Sequence, residues 1–257
     1  MKIALIGAGN LATVLGHALC NARHDIVQVY SHTMTAANLL AEKLNAAPTD
    51  SLDTITNDAD LYIIALKDSI LDAVIDKICP IRSDKLFVHT AGSMPIDVFR
   101  RRATHYGVFY PMQTFSKTRI VDFRNIPVFI EADSPATIQN ITEVAQSVSN
   151  SVRELCSSDR RYLHLAAVWA CNYTNFCYDM AAEVLQKVGL PFDIMLPLTD
   201  ETARKVHELS PREAQTGPAI RYDENIIAAQ MQLMNDNPRA QQLYQLMAQS
   251  IHERSKK

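Results

Sequence analysis

The most constraining stretch lies at the amino end, where residues 3–12 read Ile-Ala-Leu-Ile-Gly-Ala-Gly-Asn-Leu-Ala. Residues 3–6 are a short apolar run of the kind that forms a buried parallel strand. Gly7-Ala8-Gly9 interrupts it, and apolar spacing from Leu11 to Asn21 is helical. Strand, tight turn and helix start in the form G-x-G-x-x-A predict a loop that wraps the diphosphate of a dinucleotide. Gly7 permits the sharp turn, Gly9 leaves no side chain in the way of the diphosphate, and Ala12 lets helix and strand pack closely. The first helical N–H groups, at Asn10 and Leu11, then face the anion. A plain strand-to-helix turn is the alternative.

The rest of the first half repeats the alternation. Apolar runs predict strands at residues 26–30, 47–49, 60–66, 85–90, 107–110, 126–130 and 152–155. Helical patterns fall at 36–45, 68–78, 95–105 and 135–148, with Pro95 and Pro135 at helix starts. Strands alternating with helices at this spacing predict parallel pairing with helices on both faces. Ligands in such sheets bind beyond the carboxyl ends of the strands. The second half differs. From Asp159 the strand signals stop, and Ser158 or Asp159 is placed to cap a helix running to about Val188. Its residues are apolar nearly all round, so it should be buried on most faces. Further helices are expected at 192–209, 225–234 and 238–254. The predicted class is α/β: a doubly wound, mostly parallel sheet over residues 1–155, then an all-helical domain over 156–257.

Composition excludes more than it selects. A chain of 257 residues with a formal charge of -3 gives no reason to expect nucleic acid or an anionic membrane as partner. No apolar run approaches a membrane span, and residues 3–6 are far too short for a signal sequence, so a cytoplasmic location is expected. Five cysteines without a C-x-x-C pair suggest buried, reduced thiols. Eight histidines without H-x-x-x-H spacing give no metal site. So apolar a central helix suggests a homodimer; cover by the first domain and the shorter helices is the alternative.

The end of the second strand bears on the nucleotide. NAD sites usually place an acid there for the ribose hydroxyls. This chain has Ser31-His32-Thr33, whose hydroxyls and imidazole suit a phosphate, so NADP is favoured over NAD. No arginine accompanies them.

Several motifs carry a resemblance: Gly7-Ala8-Gly9-Asn10-Leu11-Ala12, Lys67-Asp68-Ser69-Ile70, His89-Thr90-Ala91-Gly92-Ser93 and Tyr110-Pro111-Met112-Gln113-Thr114-Phe115-Ser116. In the helical half they are His164 to Asn172 and Thr216 to Asp223. The chain resembles the 6-phosphogluconate dehydrogenase-like reductases, which include pyrroline-5-carboxylate reductase. Within these it is most similar to a bacterial group of Rossmann-like proteins whose carboxy-terminal helical domain is of unknown function. The resemblance implies a dimeric NADP-linked oxidoreductase. The proline enzyme's Gly-Ser-Gly-Pro-Ala and Ser-Pro-Gly-Gly-Thr-Thr runs are replaced here by Ala-Cys-Asn-Tyr-Thr-Asn and Thr-Gly-Pro-Ala-Ile-Arg, which argues against proline synthesis. The catalytic lysine of related hydroxyacid dehydrogenases is missing, since the long helix has no lysine before Lys187.

Hydride transfer to a C=O or C=N carbon needs a proton donor. His164 is the first candidate, because imidazole exchanges protons near neutral pH. Asn172, two turns on, is placed to orient a substrate oxygen. A satisfied core histidine and a helix-to-helix contact are the plainer roles. Leu66, Lys67 and Asp68 should border the ribose and diphosphate, and Thr90, Ala91 and Gly92 should leave room for the nicotinamide ring. Ser93, Tyr110, Gln113, Thr216, Arg221 and Asp223 are the candidate substrate contacts, in a cleft between the domains, with Tyr110 an aromatic wall or a second acid. Thr216-Gly217-Pro218 reads as a loop, and an Arg221–Asp223 pair that braces it is the alternative for those two. A nucleotide-binding scaffold or redox sensor without turnover, and an imine reductase close to the proline enzyme, are the rival functions.

Overall fold

A computed structural model describes residues 1–119 and 121–256. Eight strands form one sheet in the order β3-β2-β1-β4-β5-β6-β7-β8. They are β1 (Lys2–Ile6), β2 (Asp25–Tyr30), β3 (Ala47–Thr49), β4 (Leu61–Ile64), β5 (Leu86–His89), β6 (His105–Pro111), β7 (Val128–Ala132) and β8 (Val152–Glu154). The order reverses between β1 and β4, both in parallel register with their neighbours. That reversal opens the crevice in which α/β sheets hold ligands.

Alternation along the strands builds two cores. Ile3 and Leu5 of β1 face α1 (Asn10–Asn21), α2 (Met34–Leu44) and α4 (Pro135–Val148), through Leu15, Leu19, Leu40, Leu44, Ile141 and Val144. Ala4 and Ile6 face the other way, against Leu71, Val74, Ile75 and Ile78 of α3 (Asp68–Ile78). A period of two on the strands and of 3.6 on the helices therefore sandwiches the sheet, as a doubly wound fold requires.

Three local expectations are corrected. The helix expected after Pro95 is a single 3-10 turn, Ile96–Phe99, because Arg101 adopts a left-handed φ of 67° that ends it. Parallel pairing is expected of β7 as well, but among the described residues no helix crosses between β6 and β7. The intervening segment contributes one 3-10 turn, Phe123–Asn125, and β7 pairs antiparallel to β6. Without a crossover helix the chain returns against β6 rather than along it. Thr216-Gly217-Pro218, expected as loop, holds a glycine at φ 103° and then opens a one-turn helix, α8 (Pro218–Arg221).

The structure divides into two compact units, Met1–Cys171 and Asn172–Lys257. The boundary expected after residue 155 differs, because the helix α5 (Ser157–Ala167) is tied to the sheet by polar side chains described below. Its N-cap is Cys156, not Ser158 or Asp159. The expected single long helix is interrupted. A π-helical segment, Val168–Tyr173, separates α5 from α6 (Thr174–Gln186). Such a segment inserts residues into the helical ladder and shifts the phase of everything after it.

The second unit contains α6, α7 (Leu196–Glu208), α8, α9 (Glu224–Gln232) and α10 (Pro238–Ser255). Among its described residues only Ile227, Ala240 and Ala248 are buried. Phe176 and Val184 of α6 are exposed, against the expectation of burial for that stretch, and Leu198 and Val206 of α7 are exposed too. Three of the cysteines, Cys156, Cys171 and Cys177, are exposed as well, while Cys79 is buried. No helix is long and apolar enough to cross a membrane among the described residues.

Candidate functional site

The turn after β1 has the geometry a diphosphate needs. Gly7 adopts φ 131°, and its N–H donates to Tyr30 O at 2.8 Å. A methyl group at Gly7 would lie 2.3 Å from the carbonyl oxygen of Ala65, so the turn after β1 packs directly on the end of β4. Gly9 is the opposite case, since a methyl group there meets nothing within 4 Å. The fold therefore does not need a glycine at that position, and the open space lies at the amino end of α1. Asn10, Leu11 and Ala12 precede the first intrahelical donor, Thr13 N–H to Gly9 O at 3.0 Å, so their N–H groups face out of the helix end. The residues present fit a bound diphosphate.

Loops from four strand ends meet around this turn. Asn10 Nδ2 donates to Phe115 O at 2.9 Å, which draws the segment after β6 over the start of α1. Leu66, after β4, packs within 3.3 Å of the place a Gly7 side chain would take. Lys67 is the N-cap residue of α3 and is exposed. Asp68 in the first turn accepts a short hydrogen bond from Ser93 Oγ, which joins the loops after β4 and β5. Thr90 is buried and its N–H donates to Ile64 O at 3.2 Å. Ala91 N–H donates to His89 Nδ1 at 3.2 Å, and the His89 ring stacks on Phe99 with centroids 5.7 Å apart. Burial, reinforced by the charge of Arg160, pushes His89 down to about 3, so it is a neutral imidazole at physiological pH.

His164 and Tyr110 come together beside Gly92. The Tyr110 hydroxyl lies 3.1 Å from His164 Nδ1, with the rings edge to face at 6.1 Å. A methyl at Gly92 would lie 2.6 Å from the same nitrogen. Burial raises the Tyr110 phenol, the Arg160 charge opposes that, and Cys171 adds to it. The net direction is upward, so the phenol keeps its proton at neutral pH and can donate to a neutral imidazole.

The topology explains why a helix residue reaches these strand ends. β7 and β8 run against β1 to β6, so β8 returns the chain to the amino-end edge of the parallel strands. From there α5 climbs back, starting at Glu131 and ending at Tyr110. Glu131 on β7 accepts from Ser157 N–H at 3.0 Å, from Ser157 Oγ at 2.6 Å and from Arg160 Nη1 at 2.6 Å. Arg160 is 1% exposed, and its Nη2 donates to Met94 O at 2.6 Å and to Ser157 Oγ at 3.0 Å. Ile96 N–H donates to Ser157 Oγ at 2.9 Å. Sequence reasoning missed Arg160 and Glu131, and it named His89 only as part of a motif, without a role. A carboxylate in the apolar strand Val128–Ala132 was the available signal. Arg160 in Asp159-Arg160-Arg161 reads as the solvated start of a helix.

The remaining candidates make local contacts or belong to the second unit. Ser31 is half-buried and His32 exposed at the end of β2. Thr33 Oγ1 accepts from Ala36 N–H at 3.4 Å and caps α2, which gives it a structural task the sequence did not suggest. Gln113 is exposed and folds back on its own neighbour, accepting from Thr114 N–H at 2.8 Å. Asn172, Thr216, Arg221 and Asp223 belong to the second unit. Asn172 and Thr216 are exposed, and Arg221 ends α8. Asp223 caps α9, accepting from Ile226 N–H at 3.4 Å. Among the described residues no group of three or more His, Cys, Asp or Glu is placed to hold a metal ion.

Sheet order, glycine turn and helical carboxy-terminal region define a Rossmann-like protein with a second, helical part. Residues 1–109 match the Rossmann-like domain model, and residues 126–251 match a domain of unknown function, DUF2520. The chain belongs to the family of Rossmann-like proteins that carry this carboxy-terminal domain. A Bacteroides fragilis protein provisionally assigned as an NADP oxidoreductase, BF3122, is 53% identical, with 98% of each chain covered and a TM-score of 0.95. Two more distant structures share the fold. The imine reductase of Myxococcus stipitatus in complex with NADP+ is 16% identical, covers 100% of this chain and 94% of its own, and has a TM-score of 0.68. The 1-pyrroline-5-carboxylate reductase of Streptococcus pyogenes is 15% identical, covers 100% and 98%, and has a TM-score of 0.63. No curated protein matches the chain.

Proposed function

We propose that this chain is an NADP-dependent oxidoreductase acting on a C=O or C=N bond of a small polar substrate, with His164 and Tyr110 as its proton-delivering pair. The observation that carries the reading is the 3.1 Å contact between Tyr110 and His164 beside Gly92, at the ends of the strands next to the glycine turn. The nicotinamide, when bound, supplies the hydride chemistry. The chain's own residues do the rest. Gly7, Gly9, Asn10 and Leu11 hold the diphosphate, and Leu66, Lys67 and Asp68 border it. Thr90, Ala91 and Gly92 form the wall against the reactive ring, and Ser93 and Gln113 are substrate contacts. His164 Nε2 gives the proton, and the Tyr110 hydroxyl, hydrogen-bonded to Nδ1, orients the imidazole while keeping its own proton. The assignment of the Bacteroides relative as an NADP oxidoreductase supports NADP chemistry. NADP over NAD is supported by the lack of an acid at Ser31-His32-Thr33.

The test is a titration with NADPH and NADH followed by cofactor fluorescence, then a panel of cyclic imines and keto acids followed by loss of NADPH absorbance. The reading predicts tighter binding of NADPH, and His164→Ala should lower turnover on the order of a hundredfold. A protein that ignores both nucleotides at millimolar concentration sinks it. A scaffold or sensor without turnover is the second reading, favoured by the absence of lysine from residues 157–186. Binding without turnover across the panel selects it.

We infer a homodimer as well. A unit whose described residues bury only Ile227, Ala240 and Ala248 and expose Phe176, Val184, Leu198 and Val206 lacks a core of its own. Phe176→Glu should shift the protein to monomer in analytical ultracentrifugation, and an unaltered monomer at micromolar concentration would exclude the dimer.

A further inference from the structure

We propose that the Glu131–Arg160 ion pair is the positioning device of this site, fixing the helix that carries His164 to the loop that carries Gly92. The inference rests on the function proposed above for its kinetic consequence, and on geometry alone for its structural one.

The pair is built into the interior, with Arg160 1% and Glu131 17% exposed. Two buried charges are expensive to desolvate, and well-packed apolar side chains would often hold a helix as firmly. What an apolar contact does not give is direction. The planar guanidinium makes fixed, forked contacts. One arm meets Glu131 at 2.6 Å, on the antiparallel strand β7. The other meets the carbonyl of Met94 at 2.6 Å, two residues beyond Gly92. Ser157 closes the frame, accepting from Ile96 N–H at 2.9 Å and donating to Glu131 at 2.6 Å. Strand, loop and helix start are thus tied at one point. His164 lies one turn beyond Arg160 on the same helix, so its ring is delivered to Gly92 and Tyr110 by that attachment.

The loop after β5 is held along its length in the same way. Thr90 is tied to Ile64, Ala91 to His89, Ser93 to Asp68, Met94 to Arg160 and Ile96 to Ser157. Only Gly92, opposite His164, is free of a side chain. Arg160 also acts on the pair electrostatically, since its charge opposes the rise that burial imposes on Tyr110. Lysine would keep the charge without the fork, and methionine would keep the bulk without the charge. The two substitutions therefore separate the two effects.

The experiment uses the full chain and three variants: Arg160→Lys, Arg160→Met and Glu131→Gln. Each is first checked for a native melting transition. Tyrosine labelled at Cζ is then titrated by NMR, with Tyr110→Phe identifying the signal, and the His164 ring signals are recorded. Turnover is measured with NADPH and whichever panel compound the unaltered protein reduces. Arg160→Lys should lower kcat by on the order of 10- to 100-fold while KM for NADPH stays within about threefold. Arg160→Met should also move the Tyr110 titration upward, and Glu131→Gln, which keeps the shape, should fall between the unaltered protein and Arg160→Lys. If the folded variants keep kcat, the Tyr110 titration and the His164 signals of the unaltered protein, the inference is overturned while the proposed function stands. If no nucleotide binds the unaltered protein, the function falls. The NMR signals then decide the positioning role, with shifts in Arg160→Lys supporting it and their absence overturning it. Should Arg160→Met not fold, Arg160→Lys and Glu131→Gln carry the decision.

Discussion

Gly92 and His164 occupy one place in the structure: a methyl group built on Gly92 would lie 2.6 Å from Nδ1, 2.8 Å from Cγ and 3.0 Å from Cβ of the imidazole. The missing side chain is what lets His164 reach Tyr110, so the glycine belongs to the histidine's geometry as much as to its own loop.

Gly92→Ala should therefore displace the imidazole and break its contact with the Tyr110 hydroxyl. Turnover should fall on the order of a hundredfold, with nucleotide affinity changed by less than about threefold. Steady-state kinetics beside a fluorescence titration measures both. Equal turnover in a folded Gly92→Ala protein would remove the pair from the mechanism.

The two glycines of the first turn should fail in different ways. Gly7→Ala forces a side chain onto φ 131° and against the Ala65 carbonyl, at a cost on the order of 3 kcal/mol. Gly9→Ala meets nothing within 4 Å and should leave the melting temperature within about a degree or two. Its loss should appear only in nucleotide binding. Thermal melts with and without NADPH separate the two, and unchanged binding in Gly9→Ala would dissociate this turn from the cofactor.

His89 should make stability fall in acid. Its folded value is lowered from 6.5 to about 3, so between those values the unfolded chain binds a proton that the folded chain refuses. Stability is then complete above about 6.5 and is lost as pH falls toward 3. His89→Asn, which keeps an acceptor for Ala91 N–H, should flatten the melting temperature between pH 7 and pH 4 relative to the unaltered protein, by about 6 to 13 degrees across the range. Parallel melting curves for the two proteins would assign the acid sensitivity elsewhere.

The cysteines should divide by burial. Burial pushes the Cys79 thiol up to about 12, so it should resist alkylation until the chain unfolds. Cys156 is exposed at the start of α5 and should react in the native protein. Iodoacetamide followed by peptide mass spectrometry reads both. Native labelling of Cys79 would show that the core of the second sheet face opens readily.

What the sequence determined by itself was the local grammar. Continuous apolar runs in residues 3–6 and 61–64, the two glycines of the first turn and the helical spacing after them set strand, turn and helix without help from distant residues. The helices Asp68–Ile78 and Pro135–Val148 and the strand Ala47–Thr49 were legible to the residue for the same reason. The pairing of His164 with Tyr110 was not legible, nor was the buried Glu131–Arg160 tie. Those contacts join residues far apart along the chain, and they exist because β7 turns antiparallel and sends α5 back up the sheet. Strand direction depends on which neighbour a strand meets, and no pattern within residues 128–132 encodes that. A charged side chain such as Arg160 likewise looks solvated until the fold closes a carboxylate and a carbonyl around it.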